Sequence, residues 1–236
     1  MSEVEKKERR KRRTKLAIEK DVLAAVSSMI EEVGFKNVTL TGVAQRAQIE
    51  PIVFYRRYAN LENLFDLYTS KFDYWLSNIA DTMPSGLNDE ETFQWIMRNL
   101  IVALNKSKGM QQLLIWELSD NNPVTKKTAM NREISNQLLI SVLEEKFKDT
   151  GIDINVIASL VISGIYYLIL HKDISTFCNV DFSKKNGMER LENAVDSLVS
   201  FLFSIVKVQH ETLRIAERLR AEGVSESIIA KCIGNR

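Results

Sequence analysis

The chain has 236 residues, of which 45% are hydrophobic and 27% charged, and its net charge is +1. This is ordinary globular composition, sufficient for one large core or two small ones, and the net charge by itself predicts no partner. With 9 glycines and 3 prolines, the chain has too few turn residues for a sandwich or barrel with many tight turns, which favours long helices.

Positive charge is concentrated at the N-terminal end. Residues 1–60 carry 13 Lys and Arg against 8 Asp and Glu, whereas residues 61–236 carry 19 against 23. A basic N-terminal quarter on a mildly acidic body predicts a polyanionic partner at one end only.

The sequence contains no recognisable catalytic or metal-binding pattern. Cys178 and Cys232 form no Cys-x-x-Cys motif, and His171 and His210 lack metal-ligand spacing. No nucleophile elbow, P-loop or dinucleotide-binding glycine motif occurs. We therefore expect no metal and no cofactor, and an enzyme is the less favoured class of function.

Cellular location is suggested by two segments. The N-terminal residues are charged and lack the apolar stretch of a secretory signal. The longest apolar run, 154–170, is interrupted by Asn155, Ser159, Ser163 and Gly164 and only reaches the lower edge of membrane-spanning length. We interpret this run as a buried helix and expect a cytoplasmic protein.

Apolar residues recur at helical spacing along the chain, and no segment alternates as a strand does, so the predicted fold is all-α. The first predicted helix covers about 10–33, overlaps a basic arm at 6–15 and stops at Gly34. Thr39 is the predicted N-cap of a short helix ending near Gln48. Further helices are predicted from Pro51 to about 58, then over 60–83, 89–106, 108–119, 123–148, 153–173, 188–222 and 226–233, with an irregular stretch at 174–187.

Residues 39–58 have the pattern of a helix-turn-helix: a short helix, a tight turn and a second helix. Ala44 and Ala47 permit a close helix crossing, and Phe54 and Tyr58, four apart, give the second helix a buried face. The other face carries Val53, Tyr55, Arg56 and Arg57. Because a helix fits the major groove and Arg and Tyr donate to phosphates, this face predicts DNA binding, against the alternative of a charged exterior on a core helix.

This stretch resembles the signature of the TetR family of bacterial repressors. The matching residues are Thr39, Val43, Ala44, Ala47, Ile49, Phe54, Tyr55, Tyr58, Asn60 and Leu64. The detailed match covers about residues 20–66, and the rest agrees in helix order and length. The resemblance implies a three-helix DNA-binding head followed by a helical bundle that binds an effector and forms a homodimer.

The resemblance also implies roles for individual residues. Thr39 and Tyr55 correspond to phosphate anchors. The residues implied to face base edges are Pro51, Ile52, Val53 and Arg56, with Arg57 at the rim of the groove. The basic arm is either a solvated tail or a segment that gains DNA affinity by counterion release and enters the adjacent minor groove.

Three departures from the family pattern affect the head. Gln48 stands where the turn glycine is usual, Glu50 where a serine is usual, and Leu61 where a lysine contacts phosphate. Glu50 and Pro51 still form a sound helix start, since proline suits the first helical position. These changes preserve the expected fold and leave the operator sequence unpredictable.

The resemblance implies an apolar effector pocket in the body, for a small apolar or amphipathic molecule. The candidate lining residues are Phe72, Trp75, Trp95, Trp116, Tyr166 and Tyr167. The alternative is that these aromatic side chains simply fill the core. The two most apolar helices, 153–173 and 188–208, exceed the needs of one chain, and the resemblance implies that they form the dimer.

The C-terminal residues 209–233 predict a helical hairpin that the resemblance does not explain. Three interpretations are open: a cap packed on the dimer, a tail of no fixed structure, and a second nucleic-acid contact. Four basic and four acidic residues balance in this segment, which favours the cap. The predicted domains are therefore a head at 1–60, an effector and dimerisation domain at 61–208, and an extension at 209–236.

The function predicted from the sequence is a dimeric transcriptional repressor that binds a palindromic operator and is released by a small effector. The alternative is a DNA-binding regulator without a small ligand, controlled by a protein partner.

Overall fold

The computed structural model describes residues 13–73 and 75–233, and the regular structure in them is helical apart from one isolated bridge between Phe177 and Val180. The all-α prediction is confirmed. In chain order the α-helices are α1 (Lys15–Val33), α2 (Leu40–Arg46), α3 (Pro51–Tyr58), α4 (Leu61–Thr69), α5 (Trp75–Ala80), α6 (Asp89–Lys106), α7 (Lys108–Ser119), α8 (Pro123–Phe147), α9 (Ile154–His171), α10 (Lys185–Ala221) and α11 (Glu226–Ile233).

The chain divides into two compact units. Unit 1 consists of Met1–Asp73 with Lys108–Ala129, and unit 2 of Tyr74–Ser107 with Met130–Arg236. This division differs from the predicted boundaries at residues 60 and 208. The predicted head shares its unit with α4 and α7, and the C-terminal extension shares its unit with most of the body.

An aromatic cluster explains why α4 and α7 belong to unit 1. The ring of Phe35 stacks on Trp116 of α7 with centroids 4.3 Å apart, and Phe65 of α4 meets both rings edge-on at 5.2 and 5.4 Å. The indole nitrogen of Trp116 donates to Asp120 at 3.1 Å, so its polar atom is satisfied. Burial of such large rings is a principal source of stability, so the head depends on a helix 50 residues or more further along the chain.

The helix predicted over 60–83 is not continuous. α4 ends at Thr69, a 3₁₀ turn follows, and α5 begins at Trp75. The hydroxyl of Thr69 donates to the carbonyl of Asp66 at 3.2 Å, and that of Ser70 donates three residues back at 2.8 Å. Such local hydrogen bonds compete with the regular helical ladder and favour a tighter turn.

Unit 2 is organised around the contact between α6 and α10. The buried apolar residues of α10 include Leu191, Val195, Val199, Leu202 and Val206. Beside them runs a polar seam in which Arg98 donates to Asp196, and Lys207 donates to Glu90 at 2.7 Å. Ser200 also donates to Glu90, at 2.8 Å, so the two helices are fixed in rotation as well as in distance.

The interpretation of the apolar run 154–170 as a buried helix is wrong for the single chain. Only 22% of α9 is buried, and it is the one helix in the described residues that is long and apolar enough to cross a membrane. Helices of ordinary protein cores pass the same test of length and composition, so the finding is weak support for a membrane span. It does mean that α9 presents apolar side chains, such as Leu160, outside the core of its own chain.

The predicted C-terminal hairpin forms, with a turn at Gly223, whose φ is +81°. α11 packs on the end of α10, and Ala216 and Ile229 are buried there. Ile215 and Ile228, however, stay about half exposed. Only part of the apolar surface of the hairpin is therefore buried within the single chain.

The close approach of the start of α10 to the preceding loop can be tested at Gly187. A β-carbon there would lie 1.9 Å from the carbonyl oxygen of Asp181. Gly187→Ala must displace the preceding loop, and we expect the free energy of unfolding to fall by about 2 kcal/mol in urea denaturation. Asn186→Ala, at an exposed neighbour, should change it by less than about 0.5 kcal/mol. Equal stability of the two variants would contradict the close approach.

Candidate nucleic-acid interface

The first helix of the helix-turn-helix is capped as predicted. The Thr39 hydroxyl oxygen accepts a hydrogen bond from the backbone N–H of Gly42 at 3.1 Å. This bond uses an acceptor site of the hydroxyl and leaves its proton available for another acceptor. Thr39 is exposed, so that acceptor can belong to a ligand.

The turn between α2 and α3 has the geometry that usually requires glycine. Gln48 adopts a φ of +53°. Its N–H bonds to the carbonyl of Gln45 at 3.1 Å, and the N–H of Ile49 bonds to that of Ala44 at 2.9 Å. This is the Schellman pattern, with glutamine at the left-handed position, where a side chain costs about 1–2 kcal/mol.

Arg13 holds this turn from the start of the described chain. Its guanidinium donates to the carbonyl of Ala47 at 2.9 Å and to the side chain of Gln48 at 3.3 Å, and it lies 3.4 Å from the carboxylate of Asp21. A cation at the carbonyl end of α2 also complements the helix dipole. The sequence predicted no role for Arg13 beyond its place in the basic arm, most of which lies outside the described residues.

α3 presents the face that the sequence predicted. Phe54 and Tyr58 are buried, whereas Ile52 and Tyr55 are 52% and 54% exposed. The other predicted contact residues are Pro51 and Arg56, both exposed, and Val53, partly exposed. Among the residues that the structure describes, Arg56 forms no ion pair, so its guanidinium is available to an external anion.

Arg57, which the sequence predicted at the rim of the groove, is paired within the chain. Its guanidinium donates to Glu19 of α1 at 3.0 Å, and its side chain is only 23% exposed. Beside it, burial raises the pKa of the Tyr58 phenol, an effect that the charge of Arg57 partly offsets. Arg57 therefore links α3 to α1.

A third arginine is held in the same way. Arg46 at the end of α2 donates to both carboxylate oxygens of Glu32 at 2.7 and 2.9 Å and to Ser28 at 2.7 Å. Hydrogen bonding to Arg46 lowers the pKa of Glu32. The two ends of α1 are thus paired with cations of the helix-turn-helix, and Arg56 remains the outward-facing one on α3.

The six aromatic residues proposed for an effector pocket do not gather in one unit. Phe72 and Trp116 belong to unit 1, where Phe72 lies edge-on to Tyr68 and Trp116 is stacked in the aromatic cluster. Trp75, Trp95 and Tyr166 are partly exposed in unit 2. Tyr167 is half exposed and stacks on His171 with ring centroids 5.2 Å apart.

A different set of residues lines an apolar cavity within unit 2. It has a volume of about 20 Å³ and lies among α6, α9 and α10. Its lining includes Phe93, Met97, Ile157, Val161 and Leu202 and none of the six predicted aromatic residues. Pockets for small molecules usually reach about 300 Å³ or more, so this space would have to widen to accept one. Over the described ranges, no cluster of His, Cys, Asp and Glu side chains could hold a metal ion.

No protein-family model and no curated protein matches the sequence. Solved structures do match the fold. GusR of Salmonella enterica has a TM-score of 0.58 at 14% identity, over 82% of this chain and 98% of its own. AibR, in complex with isovaleryl coenzyme A and operator DNA, has a TM-score of 0.58 at 12% identity, over 77% and 97%. A TetR family transcription regulator of Marinobacter aquaeolei VT8 has 0.53 at 13%, over 75% and 95%.

The chain therefore has the fold of the TetR family of transcription regulators, which confirms the resemblance drawn from residues 39–64. The compared chains are covered almost completely, whereas a fifth or so of this chain has no counterpart in them.

Glycine substitutions at two nearby positions of the strained turn should change the free energy of unfolding in opposite directions. Gln48→Gly removes the side chain from the left-handed position, so the free energy of unfolding should rise by about 1 kcal/mol. Gln45→Gly, in the helical conformation of α2, should lower it by about 1 kcal/mol. Urea denaturation of both variants measures the difference, and a destabilised Gln48→Gly variant would show that the side chain of Gln48 matters more than its backbone.

Proposed function

We propose that this chain is a cytoplasmic, homodimeric transcriptional repressor that binds a palindromic DNA operator through α3 and is released by a small effector. The observation that carries the proposal is the outward face of α3, with Ile52, Tyr55 and Arg56 exposed on a helix whose other face is buried. The shared fold with TetR-family regulators, including one crystallised on operator DNA, supports it.

The proposed contacts with DNA are of two kinds: contacts to phosphates, which position the head, and contacts to base edges, which select the sequence. The Thr39 and Tyr55 hydroxyls donate to phosphates, which fixes the register of the head without selecting a sequence. Residues 51–53 at the start of α3 meet base edges in the major groove. Arg56 suits guanine, since its guanidinium matches the two acceptors that guanine presents there.

The basic residues before Arg13 add affinity that falls with salt. Each neutralised phosphate releases counterions, so the logarithm of the binding constant should decline with the logarithm of salt concentration. Arg13 itself is hydrogen-bonded to the turn, and Arg57 is paired with Glu19. Neither arginine is therefore assigned a direct contact with a base.

The dimer is proposed to form through α9 and α10. Val156 and Leu160 on α9 and Leu198 and Phe201 on α10 are apolar and exposed in the single chain. Exposed apolar patches of this kind mark interaction surfaces. A palindromic operator requires the two copies of α3 in the dimer to lie about 34 Å apart, one turn of DNA.

The effector is proposed to be a small apolar or amphipathic molecule that enters unit 2 at the apolar cavity. AibR, of the same fold, binds isovaleryl coenzyme A, a molecule with an apolar acyl end. Release of DNA requires that the effector bind the non-binding state more tightly, and coupling of this kind is typically about 1–3 kcal/mol.

A regulator controlled by a protein partner is the second candidate. It is favoured by an exposed apolar row on α8, formed by Met130, Ile134, Leu138 and Val142. The two candidates separate when a cell extract is divided by ultrafiltration and each fraction is added to the protein–operator complex. Release by the low-mass fraction supports a small effector, and release by the macromolecular fraction alone supports a protein.

Selection of bound fragments from random DNA tests the proposed interface. Tyr55→Phe removes a phosphate contact, so it should weaken binding to all sequences about equally and leave the selected sequence unchanged. Arg56→Ala should change the preferred base at one position in each half-site, with a loss of about 1–3 kcal/mol for the original operator. Arg57→Ala is the matched control, and an Arg56→Ala variant that selects the parental operator would contradict the assignment.

Sedimentation tests the dimer. Leu198 is 40% exposed in the single chain, so Leu198→Asp should yield a folded monomer, because an unpaired charge in the interface disfavours association. Leu202 is buried within the chain, and Leu202→Asp should instead unfold it. Leu138→Asp on α8 serves as the control for an exposed leucine outside the interface. A dimeric Leu198→Asp variant would show that the interface lies elsewhere.

A further inference from the structure

α10 carries a second apolar row beside the buried one. Starting at Leu198, this outer row advances alternately by three and four residues through Phe201, Ile205, Val208, Thr212 and Ile215, and it ends at Leu219. Four of its members are exposed: Leu198 by 40%, Phe201 by 63%, Val208 by 66% and Ile215 by 44%. Ile205, Thr212 and Leu219 are partly exposed. The outer row spans about 32 Å at 1.5 Å per residue.

The spacing identifies the kind of surface that covers the outer row. Alternating steps of three and four give a period of 3.5 residues, which is the seam of a coiled coil and requires another helix as its partner. α11 is not that helix, since Ile215 stays exposed with α11 in place, while the neighbouring Ala216 is buried. In α10, which is described from end to end, no residue between Val206 and Ala216 is buried.

We infer that the outer row pairs with the outer row of a second copy of α10 running antiparallel. The segment 209–219 of each chain then covers Leu198 and Phe201 of the other. This inference rests on the homodimer in the proposed function and assigns the C-terminal extension a role in it, as a strap across the second copy.

The sizes of the side chains favour the antiparallel direction. With the two-fold axis between residues 206 and 207, Phe201 faces Thr212, Leu198 faces Ile215 and Ile205 faces Val208 of the second copy. Phe201, the largest side chain of the row, then meets the smaller Thr212, and the two aliphatic pairs join side chains of similar size. A parallel pair would place Phe201 on Phe201 and Thr212 on Thr212, with crowding at the first layer and a gap at the second.

The residues that flank the outer row agree with this register. Ser204 lies opposite Glu211 of the second copy, and Ser197 lies opposite Arg218. No like charges face one another along the seam, and flanking positions are where such repulsion decides orientation in coiled coils. The surplus of apolar residues on a charge-balanced extension is thereby explained by contact with a second copy, without nucleic acid.

Disulfide cross-linking in the full-length chain tests the register. Cys178 and Cys232 are both exposed and are first replaced by serine. Four samples are then compared: Leu198→Cys, Ile215→Cys, an equal mixture of the two, and the double variant. Each is oxidised, and cross-linked dimers are separated from monomers by electrophoresis without reductant. The mixture and the double variant should form cross-linked dimers, whereas each single variant alone should stay uncross-linked.

Every other outcome overturns the inference. Self-cross-linking of Leu198→Cys would show a parallel seam, and a sedimenting dimer without cross-links would show that the outer row is not the interface. Asn193→Cys with Arg214→Cys, on α10 outside the outer row, is the matched control and should not cross-link.

A second measurement tests the same interface without the cysteine variants. Ile215→Glu should raise the dimer dissociation constant at least tenfold. Ile228→Glu on α11, a residue that is 52% exposed against 44% for Ile215, should leave it unchanged. Operator binding is measured in parallel. Cross-linking without operator binding would reject the repressor and keep the strap, and operator binding by a dimer that does not cross-link would reject only the strap.

Discussion

The position of α3 depends on how it is fixed to α1. α1 buries Val22, Ala25, Val26 and Ile30, a helical row whose main neighbours are α2 and α7, and α2 in turn packs on α3. Glu19 and Glu32 at its two ends then pair with Arg57 and Arg46 of the helix-turn-helix. Exposed pairs of this kind add little stability individually. They set the rotation of the helices, and they leave Arg56 as the cation that α3 turns outward.

The ends of α3 are held by two backbone conformations that its residues do not prefer. Gln48 before the helix and Ala59 after it have φ of +53° and +58°. At Ala59 the N–H of Asn60 returns to the carbonyl of Tyr58 at 2.6 Å, a three-residue turn of a strained type. Such conformations persist where the surroundings over-determine them. Arg13, bound to the turn before α3, is part of those surroundings.

In unit 2 one helix serves two purposes. The buried row of α10 packs within the chain, and the polar seam from Glu90 to Asp196 fixes its rotation against α6. That rotation decides which residues remain outside. The outer row from Leu198 to Leu219 is apolar because, in our proposal, it is an interior surface of the dimer. We propose the same explanation for the low burial of α9, since its apolar side chains exceed what the single chain covers.

The sequence by itself determined the features that depend on neighbours within a few residues. The caps at Thr39 and Asn60, the stops at Gly34 and Gly223, and the buried pair of α3 follow from local hydrogen bonding and a period of 3.6 residues. Most helix ends and the helix-turn-helix were therefore predictable. Only the tertiary structure decided which partner each arginine takes.

Arg13 meets Ala47 across 34 positions and Arg57 meets Glu19 across 38, and no periodicity encodes such a pairing. The same holds for Trp116, which fills the core of unit 1, although its sequence environment equally suited a pocket in the body. Composition shows that an aromatic residue will be buried, but its neighbours are chosen by the packing of distant helices, because close packing is a property of the whole interior.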